Sequence, residues 1–324
     1  MTLIDSYFEN CKLIVLDIET TGLDPGICSI ILVGIRSIPI DRSLPSESAQ
    51  FFCEDLRMER QLLEFIINNV ADADLIITYN GASFDIPFIN KRLIKLGFEY
   101  QIPDYKNFDL YKIFRSSYLK SFLPNLKQKT LEIYLGIGDI RADKISGYES
   151  VLKYQEYLKT GSEILKSEII LHNSDDIIQL EKLLSLLKKI DVHKALFSYG
   201  FPVVYENKKI YIDKVKLKTN SLNIKGHYFG FSRDSIHFAM GYSLVTSKSS
   251  NSLNIEIPLY WQAGHCFLDI SELNLNMAHG PELGLEKLPG FVNNFMILTD
   301  GNTINYNEVN QIIKIICKDI LFKI

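Results

Sequence analysis

Two acidic residues follow an apolar run near the start of the chain. The run at residues 13–16 leads into Asp17 and Glu19, and a turn containing Gly22 then ends it. Four apolar residues before such a turn predict a buried strand, in which residues two apart project from the same face. Two carboxylates side by side repel each other unless a divalent cation separates them. The pattern fits either a metal site or a solvated strand end with two unrelated acids.

A third acid, Asp85, lies in the first turn of a helix predicted for residues 84–96. It follows an apolar run at residues 75–79 and an Asn-Gly turn, after which Ser83 is placed to cap the helix. An acid in a first helical turn is common for electrostatic reasons alone. However, the end of a buried strand is also where the sites of open α/β sheets collect.

His172 and Asp176 lie four residues apart in a stretch with helical periodicity, so they share one helix face. Asp175 is three residues from His172 and nearly as well placed, so spacing alone does not choose between the two acids. Asp176 adjoins the apolar stripe of the helix, which favours an inward orientation toward the sheet. The alternative is a surface histidine beside two surface acids.

Taken together, four carboxylates are predicted at strand ends and helix faces of one domain: Asp17, Glu19, Asp85 and Asp176. Hard oxygen ligands in that number suit Mg²⁺ or Mn²⁺ rather than zinc. Two such ions about 3.5–4 Å apart stabilise the attacking and leaving oxygens in phosphoryl transfer. His172 would then orient or deprotonate the attacking water, since histidine side chains titrate near neutral pH.

Two further residues flank the third acid. Asn80 could hold a substrate by hydrogen bonding, and Phe84 could stack on a base. Thr20, which follows the first pair of acids, is grouped with them as a predicted substrate contact.

The predicted strands and helices follow the order β-β-β-α-β-α-β along the chain, and further helices come after the last of these strands. This order predicts a mixed five-stranded sheet with flanking helices. The strands are predicted near residues 13–16, 29–36, 50–53, 75–79 and 108–110. Helices are predicted at residues 58–70 and 84–96 and over most of 130–189, with interruptions at 136–147 and 160–161.

The composition changes near residue 200, beyond which short alternating runs predict an antiparallel β-rich module. Asn207 and Lys208 are placed for a tight hairpin turn, and a closing helix is predicted at residues 308–322. We therefore expect two domains, residues 1–195 and 196–324, the second of unknown role.

Lys214, Lys216 and Lys218 alternate with apolar residues in this second half, so their ammonium groups share one strand face. They could follow a phosphate backbone, or they could form the solvated face of an antiparallel strand. Several histidines and aromatic residues of this half are predicted to be structural or surface residues: His227, His237, His265, His279, Trp261 and the cluster at residues 228–231.

The overall composition limits the remaining possibilities. The 324 residues are 47% hydrophobic and carry a formal net charge of -4. The charge of the whole chain therefore does not favour the binding of nucleic acid. Five scattered cysteines form neither a disulfide framework nor a zinc ribbon, which fits a reducing compartment. We see no signal peptide and no apolar run near the ~18 residues of a membrane span, and we expect a cytoplasmic protein.

Three segments resemble the exonuclease motifs of the DEDD group, which has the ribonuclease H-like fold, and their order and spacing resemble the YprB-type ribonuclease H-like family. The segments are LDIETTGLD at 16–24, TYNGASFDIPFI at 78–89 and HNSDDIIQL at 172–180. The stretch at 131–161 resembles the same family, and the likeness covers roughly residues 10–190.

The resemblance implies a two-metal 3′→5′ exonuclease, on DNA more than RNA and with single-stranded DNA favoured. It gives the metal-binding role to Asp17, Glu19, Asp85 and Asp176, and the place of the general base to His172. The larger subgroups have Tyr four residues before the last Asp or His five before it, whereas in this chain His stands four before it.

The resemblance also suggests DNA repair work beside a helicase. Two alternatives remain open on the sequence: a structure-selective endonuclease on the same fold, and a nucleic-acid-binding module without catalysis. The complete set of four mutually repelling acids argues against the second.

Overall fold

The computed structural model describes residues 6–138, 141–143, 145–230, 234–238, 241–273, 275 and 284–323. His279 and Phe231 lie outside the described residues. The chain divides into two compact units, one formed by Cys11–Ile190 and the other by Met1–Asn10 together with Asp191–Ile324. This division falls between residues 190 and 191, whereas the change of composition suggested 195 and 196.

A mixed five-stranded sheet forms the centre of the first unit, as the order of elements predicts. Its strand order is β3-β2-β1-β4-β5. The first three strands in sequence pair antiparallel, whereas β4 pairs parallel to β1 and β5 pairs parallel to β4. The strands are β1 Leu13–Thr20, β2 Ile30–Ile38, β3 Glu47–Phe52, β4 Leu75–Thr78 and β5 Asn107–Asp109.

Helices flank this sheet, and the largely helical character predicted for residues 130–189 is confirmed. The interruptions fall where the glycines predict them, since Gly136 and Gly161 end helices with positive φ angles of 74° and 64°. The α-helices are α1 Glu59–Val70, α2 Asp85–Lys95, α3 Leu110–Arg115, α4 Leu119–Phe122, α5 Gln128–Leu135, α6 Gly147–Thr160 and α7 Glu163–Leu183.

The period-two alternation of β1 divides its side chains between two faces of the sheet. Ile14, Leu16 and Ile18 are buried in a core shared with α1 and α2. A second cluster of buried side chains joins β2 to α6 and α7. Because Asp17 and Glu19 occupy the alternate positions, they project on the side of β1 where α7 packs.

The second unit contains antiparallel sheets and a closing helix, as predicted from the alternating pattern. One sheet has the order β6-β7-β8-β11-β10-β9, and the other has β12-β13-β15-β14 with β16 on β15. The strands of the first are β6 Phe201–Tyr205, β7 Lys208–Leu217, β8 Ser221–Phe229, β9 Ile236–Phe238, β10 Ser243–Ser247 and β11 Ser252–Pro258. Those of the second are β12 Tyr260–Gln262, β13 His265–Asp269, β14 Phe291–Val292, β15 Phe295–Asp300 and β16 Thr303–Ile304.

Among the described residues of this unit, the α-helices are α8 Val192–Tyr199 and α9 Tyr306–Lys323. The predicted hairpin turn is wrong by one residue. Tyr205 pairs with Lys208, so the two-residue loop is Glu206 and Asn207, and Glu206 takes the positive φ angle of 51°. Among the described helices of the chain, none is long and apolar enough to cross a membrane.

Candidate functional site

Three of the predicted site residues converge at the end of β1. The donor atoms of Glu19, His172 and Asp176 all lie within 4.8 Å of one another. His172 Nε2 is 3.4 Å from Asp176 Oδ2 and 3.7 Å from Glu19 Oε1. The four-residue spacing on α7 therefore places the histidine and the aspartate on one face, opposite the carboxylate that β1 supplies.

The other two predicted acids lie against the same strand. Asp85 Oδ1 accepts a hydrogen bond of 3.3 Å from the backbone N–H of Ile18, between the two acids of β1. Asp17 Oδ2 accepts a 2.8 Å hydrogen bond from the Asn173 side chain of α7. Strand β1, the start of α2 and the middle of α7 thus bring all five predicted residues to one region.

Burial raises the pKa of each of the four carboxyl groups, and repulsion between them adds to the effect. Burial, then the charges of Asp176 and Asp85, raise the pKa of Glu19 to about 8. Burial also raises the pKa of Asp85 to about 7 and that of Asp17 well above its ordinary value. The pKa of Asp176 is raised by burial, although His172 opposes the shift.

Four carboxylates brought so close together cannot all be ionised at neutral pH unless positive charge lies among them. The set of donors, carboxylate oxygens with one imidazole nitrogen, fits hard divalent cations such as Mg²⁺ and Mn²⁺. The residues present therefore fit the metal that the sequence predicts.

A stability profile against pH tests this electrostatic description. Glu19 and Asp85 have raised pKa values in the folded protein, so the folded state binds more protons than the unfolded state between about pH 4 and 8. With EDTA present, the free energy of unfolding should therefore fall as the pH rises through this range, by at most roughly 1.4 kcal/mol per pH unit for each such group. Chemical denaturation at several pH values measures it.

Glu19→Gln is the control for that profile, because it removes one titrating group and keeps the side-chain shape. Its free energy of unfolding should fall less steeply with pH than that of the unchanged protein. Mn²⁺ should stabilise the unchanged protein more at pH 8 than at pH 5. Identical slopes for the two proteins would show that the Glu19 carboxyl group is not held protonated by its surroundings.

A carboxylate that the sequence pattern did not single out holds the histidine. Asp143 Oδ2 lies 2.7 Å from His172 Nδ1, and the Asp143 side chain is only 1% exposed. Burial opposes ionisation of Asp143, but hydrogen bonds from His172 and Arg141 lower its pKa below the ordinary value. An ionised carboxylate can only accept, so we assign the proton to Nδ1, which leaves Nε2 as the free acceptor facing Glu19 and Asp176.

Arg141 joins this carboxylate to the rest of the site. Its guanidinium makes two 2.6 Å bonds to the buried carboxylate of Glu132, and one of 3.1 Å to Asp143. A further 2.6 Å bond reaches Asp176 Oδ1. One cation therefore ties α5, the segment at residues 141–143 and α7 together, and it offsets part of the negative charge.

Asp175 and Asp176 make different hydrogen bonds. Asp175 Oδ2 accepts from the backbone N–H groups of Ala142 and Asp143 at 2.7 and 2.8 Å. Asp176 faces His172 and Glu19 instead, as the apolar stripe on α7 predicts. Asp175 thus holds the backbone of the segment that carries Asp143.

Asn173 is a second residue that the sequence pattern did not single out. Asn173 is fully buried. Its side-chain amide N–H donates a hydrogen bond to Asp17, and its Oδ1 accepts a 2.7 Å hydrogen bond from Gln50 Nε2. Gly34 lies opposite Asp17 in the β1–β2 pair, and a Cβ built there would stand 2.2 Å from Asn173 Oδ1. The glycine therefore makes the space for the side chain that orients Asp17.

Gly34→Ala should consequently displace Asn173 and disturb Asp17. We expect a loss of about 1–3 kcal/mol in the free energy of unfolding, typical of overpacking a buried site. Denaturant unfolding measures it. Gly147→Ala is the matched control, because a Cβ there meets nothing within 4 Å and the position opens α6. Equal stability of the two variants would contradict the packing described.

The turn that precedes Asp85 is held by another acid. Asp109 Oδ1 accepts from the backbone N–H of Asn80 at 2.8 Å, and its Oδ2 accepts from that of Ala82 at 3.1 Å. Asn80 has a positive φ angle of 65°. The prediction that Ser83 caps the helix is wrong: Phe84 is the N-cap residue of α2 and makes no side-chain capping bond. The carboxylate of Asp109 orders the turn instead.

The predicted substrate contacts differ in their surroundings. The Thr20 hydroxyl is buried and donates a 2.8 Å bond to the carbonyl of Gly22. Asn80 is exposed at the turn. Phe84 is half-buried, with its ring centroid 5.5 Å from that of Phe88. Thr20 and Phe84 adjoin Glu19 and Asp85 in sequence, and the contacts of all three residues with substrate stay predictions.

The family model RNase_H_2, of the RNase_H superfamily, matches residues 14–188, more than half of the chain. The chain belongs to the RNase H superfamily, and its mixed five-stranded sheet with flanking helices is the fold expected of it.

Individual relatives match parts of the chain. A DNA polymerase III of the PolC type from Ureaplasma parvum is 29% identical over an alignment of 115 positions that covers 29% of this chain and 8% of that protein. DNA polymerase 1 from Sulfurisphaera ohwakuensis is 26% identical over an alignment of 159 positions that covers 44% of this chain and 18% of that protein. A structure of exonuclease I has a TM-score of 0.39 at 12% identity, over 67% of this chain and 55% of that one. The chain thus spans less than a fifth of these two polymerases.

Proposed function

We propose that the first unit is a metal-dependent nuclease of the DEDD type, similar to the YprB-type family, which removes nucleotides from the 3′ end of nucleic acid. The observation that carries this proposal is the cluster of donor atoms of Glu19, His172 and Asp176 within 4.8 Å. Asp17 lies on the same strand end, and Asp85 at the start of α2 accepts a hydrogen bond from Ile18 of that strand. Burial, followed by the charges of Asp176, Asp85 and Glu19, raises the pKa of Asp17.

In this proposal the four acids hold two divalent cations, Mg²⁺ or Mn²⁺. Bound there, the cations would stabilise the negative charge on the attacking and leaving oxygens of phosphodiester hydrolysis. His172 Nε2 accepts the proton of the attacking water, because Asp143 keeps the other ring proton on Nδ1. Arg141 keeps Asp143 and Asp176 in their relative positions through its bonds to both.

For the substrate we propose DNA with a free single-stranded 3′ end. The two relatives matched along the sequence are named as DNA polymerases, which favours DNA over RNA. Thr20, Asn80 and Phe84 are the proposed substrate contacts. Repair work beside a helicase stays an expectation of the family resemblance.

Digestion of end-labelled single strands tests the proposal. DNA and RNA labelled at the 3′ or the 5′ end are incubated with Mg²⁺ or Mn²⁺, and Asp85→Asn serves as the control. We expect release of single nucleotides from the 3′ end of DNA, with no activity in EDTA or in the variant. Release from the 5′ end first would contradict the proposed direction.

A circular single strand separates the nuclease alternatives, because it has no end. An exonuclease leaves the circle intact, whereas a structure-selective endonuclease opens it. Metal-dependent thermal stabilisation without cleavage of either substrate would favour a module that binds nucleic acid without catalysis.

A further inference from the structure

Three exposed lysines lie on the six-stranded sheet, Lys214 and Lys216 on β7 and Lys225 on β8, and a fourth, Lys218, is exposed directly after β7 ends. We call this group the lysine face. Val215 is buried between the first two, so the alternation expected from the sequence holds on β7. Within the part of the chain that the structure describes, none of the four ammonium groups forms an ion pair.

Two of these lysines face each other across neighbouring strands. Lys214 of β7 pairs directly with Lys225 of β8. Like charges directly opposite in an antiparallel pair destabilise the sheet. A polyanion lying over the pair would remove this repulsion, so the arrangement favours a negatively charged partner.

The acids near the lysine face do not neutralise it. Asp213, beside Lys214 in sequence, lies 3.0 Å from His227 and is engaged there. Glu256 lies on the same sheet, but Asn223 of β8 separates it from Lys216 in the register. Glu256 is also diagonal to Lys225 in the register, but among the described residues no ion pair joins it to any of the four lysines. The face thus keeps a local positive charge in a chain whose net charge is -4.

An exposed tryptophan stands at the end of the row. The Trp261 indole N–H donates to the backbone carbonyl of Thr219, the residue after Lys218. The Trp261 side chain remains 48% exposed. Basic residues beside an accessible aromatic ring are the combination that binds single strands, since phosphates meet the charges and a base stacks on the ring.

We propose that the lysine face and Trp261 bind single-stranded nucleic acid. Phosphates lie along the lysines, and one base stacks on the indole. This role goes beyond the proposed nuclease function, because it gives the second unit a task in holding the strand. It does not require that the first unit cleaves.

Trp261 also provides the measurement, because the sequence contains no other tryptophan. The full-length protein is titrated in EDTA with an oligothymidylate of about 20 nucleotides, longer than one binding site. EDTA prevents metal-dependent hydrolysis during the titration. We expect saturable quenching of tryptophan fluorescence and an affinity that falls steeply with salt.

Variants then assign the binding to these residues. The triple variant Lys214→Glu, Lys216→Glu, Lys218→Glu should bind at least tenfold more weakly at about 50 mM salt. Its slope of log affinity against log salt should be smaller by about 2, at about 0.7 for each lost phosphate contact. Trp261→Ala, followed with a labelled oligonucleotide, should bind at least fivefold more weakly.

The matched control carries the same charge change on exposed lysines that are not part of strands β7 and β8 or of the turn between them: Lys159→Glu, Lys188→Glu, Lys287→Glu. It should keep the affinity of the unchanged protein within twofold. Circular dichroism checks that the variants are folded. Equal weakening by both triple variants, an unaltered salt slope, or binding without quenching would overturn the proposal.

Vesicles containing phosphatidylserine form the last arm, since an anionic membrane also attracts lysines. Binding to vesicles but not to the oligonucleotide would overturn the proposal in favour of a lipid surface. Because binding is measured without metal, the result does not depend on whether the protein cleaves the strand. A chain that binds the strand but never cleaves it would end the nuclease proposal and leave this one standing.

Discussion

Asp17→Asn should lower nuclease activity by about 10³-fold and yet stabilise the metal-free protein. Losing one ligand of the cations removes several kcal/mol of transition-state stabilisation, and each 1.36 kcal/mol is tenfold in rate. Asp17 is also buried among three other acids that raise its pKa. Replacing it with a neutral amide removes that repulsion, so about 1 kcal/mol or more of stability should be gained in EDTA at pH 8.

The two effects are measured by digestion of labelled DNA and by thermal unfolding. A gain of 1 kcal/mol corresponds to about 2–4 °C in melting temperature for a unit of the size of Cys11–Ile190. Asp104→Asn is the control, because that residue is exposed and distant in sequence from the site. If Asp17→Asn lost activity and also lost stability in EDTA, the acid would be structural rather than part of a charged site.

Asp143→Asn should lower activity by about 10–100-fold while leaving the metal response intact. The variant removes the carboxylate that holds Nδ1–H of His172, so the imidazole no longer keeps one orientation and one tautomer. None of the four acids changes. The melting temperature should therefore still rise on addition of Mn²⁺, and KM should change less than kcat.

Asp41→Asn provides the same chemical change at an exposed position bonded to Ser43, and it should behave like the unchanged protein. A positioning role predicts that Asp143→Glu restores part of the lost kcat. Loss of the Mn²⁺ response in Asp143→Asn would instead make Asp143 a part of the metal site. Full activity of the variant would remove it from the mechanism.

The predictable parts of the molecule are those set by local pattern. Apolar runs bounded by turns indicate the strands of the first sheet. The alternation of side chains along β1 indicates that Asp17 and Glu19 share one face of the strand. The spacing of four on α7 brought His172 and Asp176 together, since helical periodicity acts within one element. The predicted position of the hairpin turn was wrong by one residue, because the loop contains Glu206 and Asn207 and Lys208 lies on the strand.

The supporting residues could not be predicted in the same way, because they act between distant segments. Asp143 and Arg141 lie in an irregular segment without periodicity, and their role depends on α5 and α7 meeting there. Asn173 looks like an ordinary polar residue of a helix until Gly34 is found opposite Asp17. The family likeness of residues 131–161 was the one signal that pointed to this segment.

A titration with Mn²⁺, followed by electron paramagnetic resonance of the free ion, shows whether the four acids share one metal site. We expect that the unchanged protein binds two ions and that each of four neutralising variants loses at least one: Asp17→Asn, Glu19→Gln, Asp85→Asn and Asp176→Asn. Asp104→Asn should bind two ions as before. Retention of both ions with unchanged affinity in any of the four would contradict a common metal site.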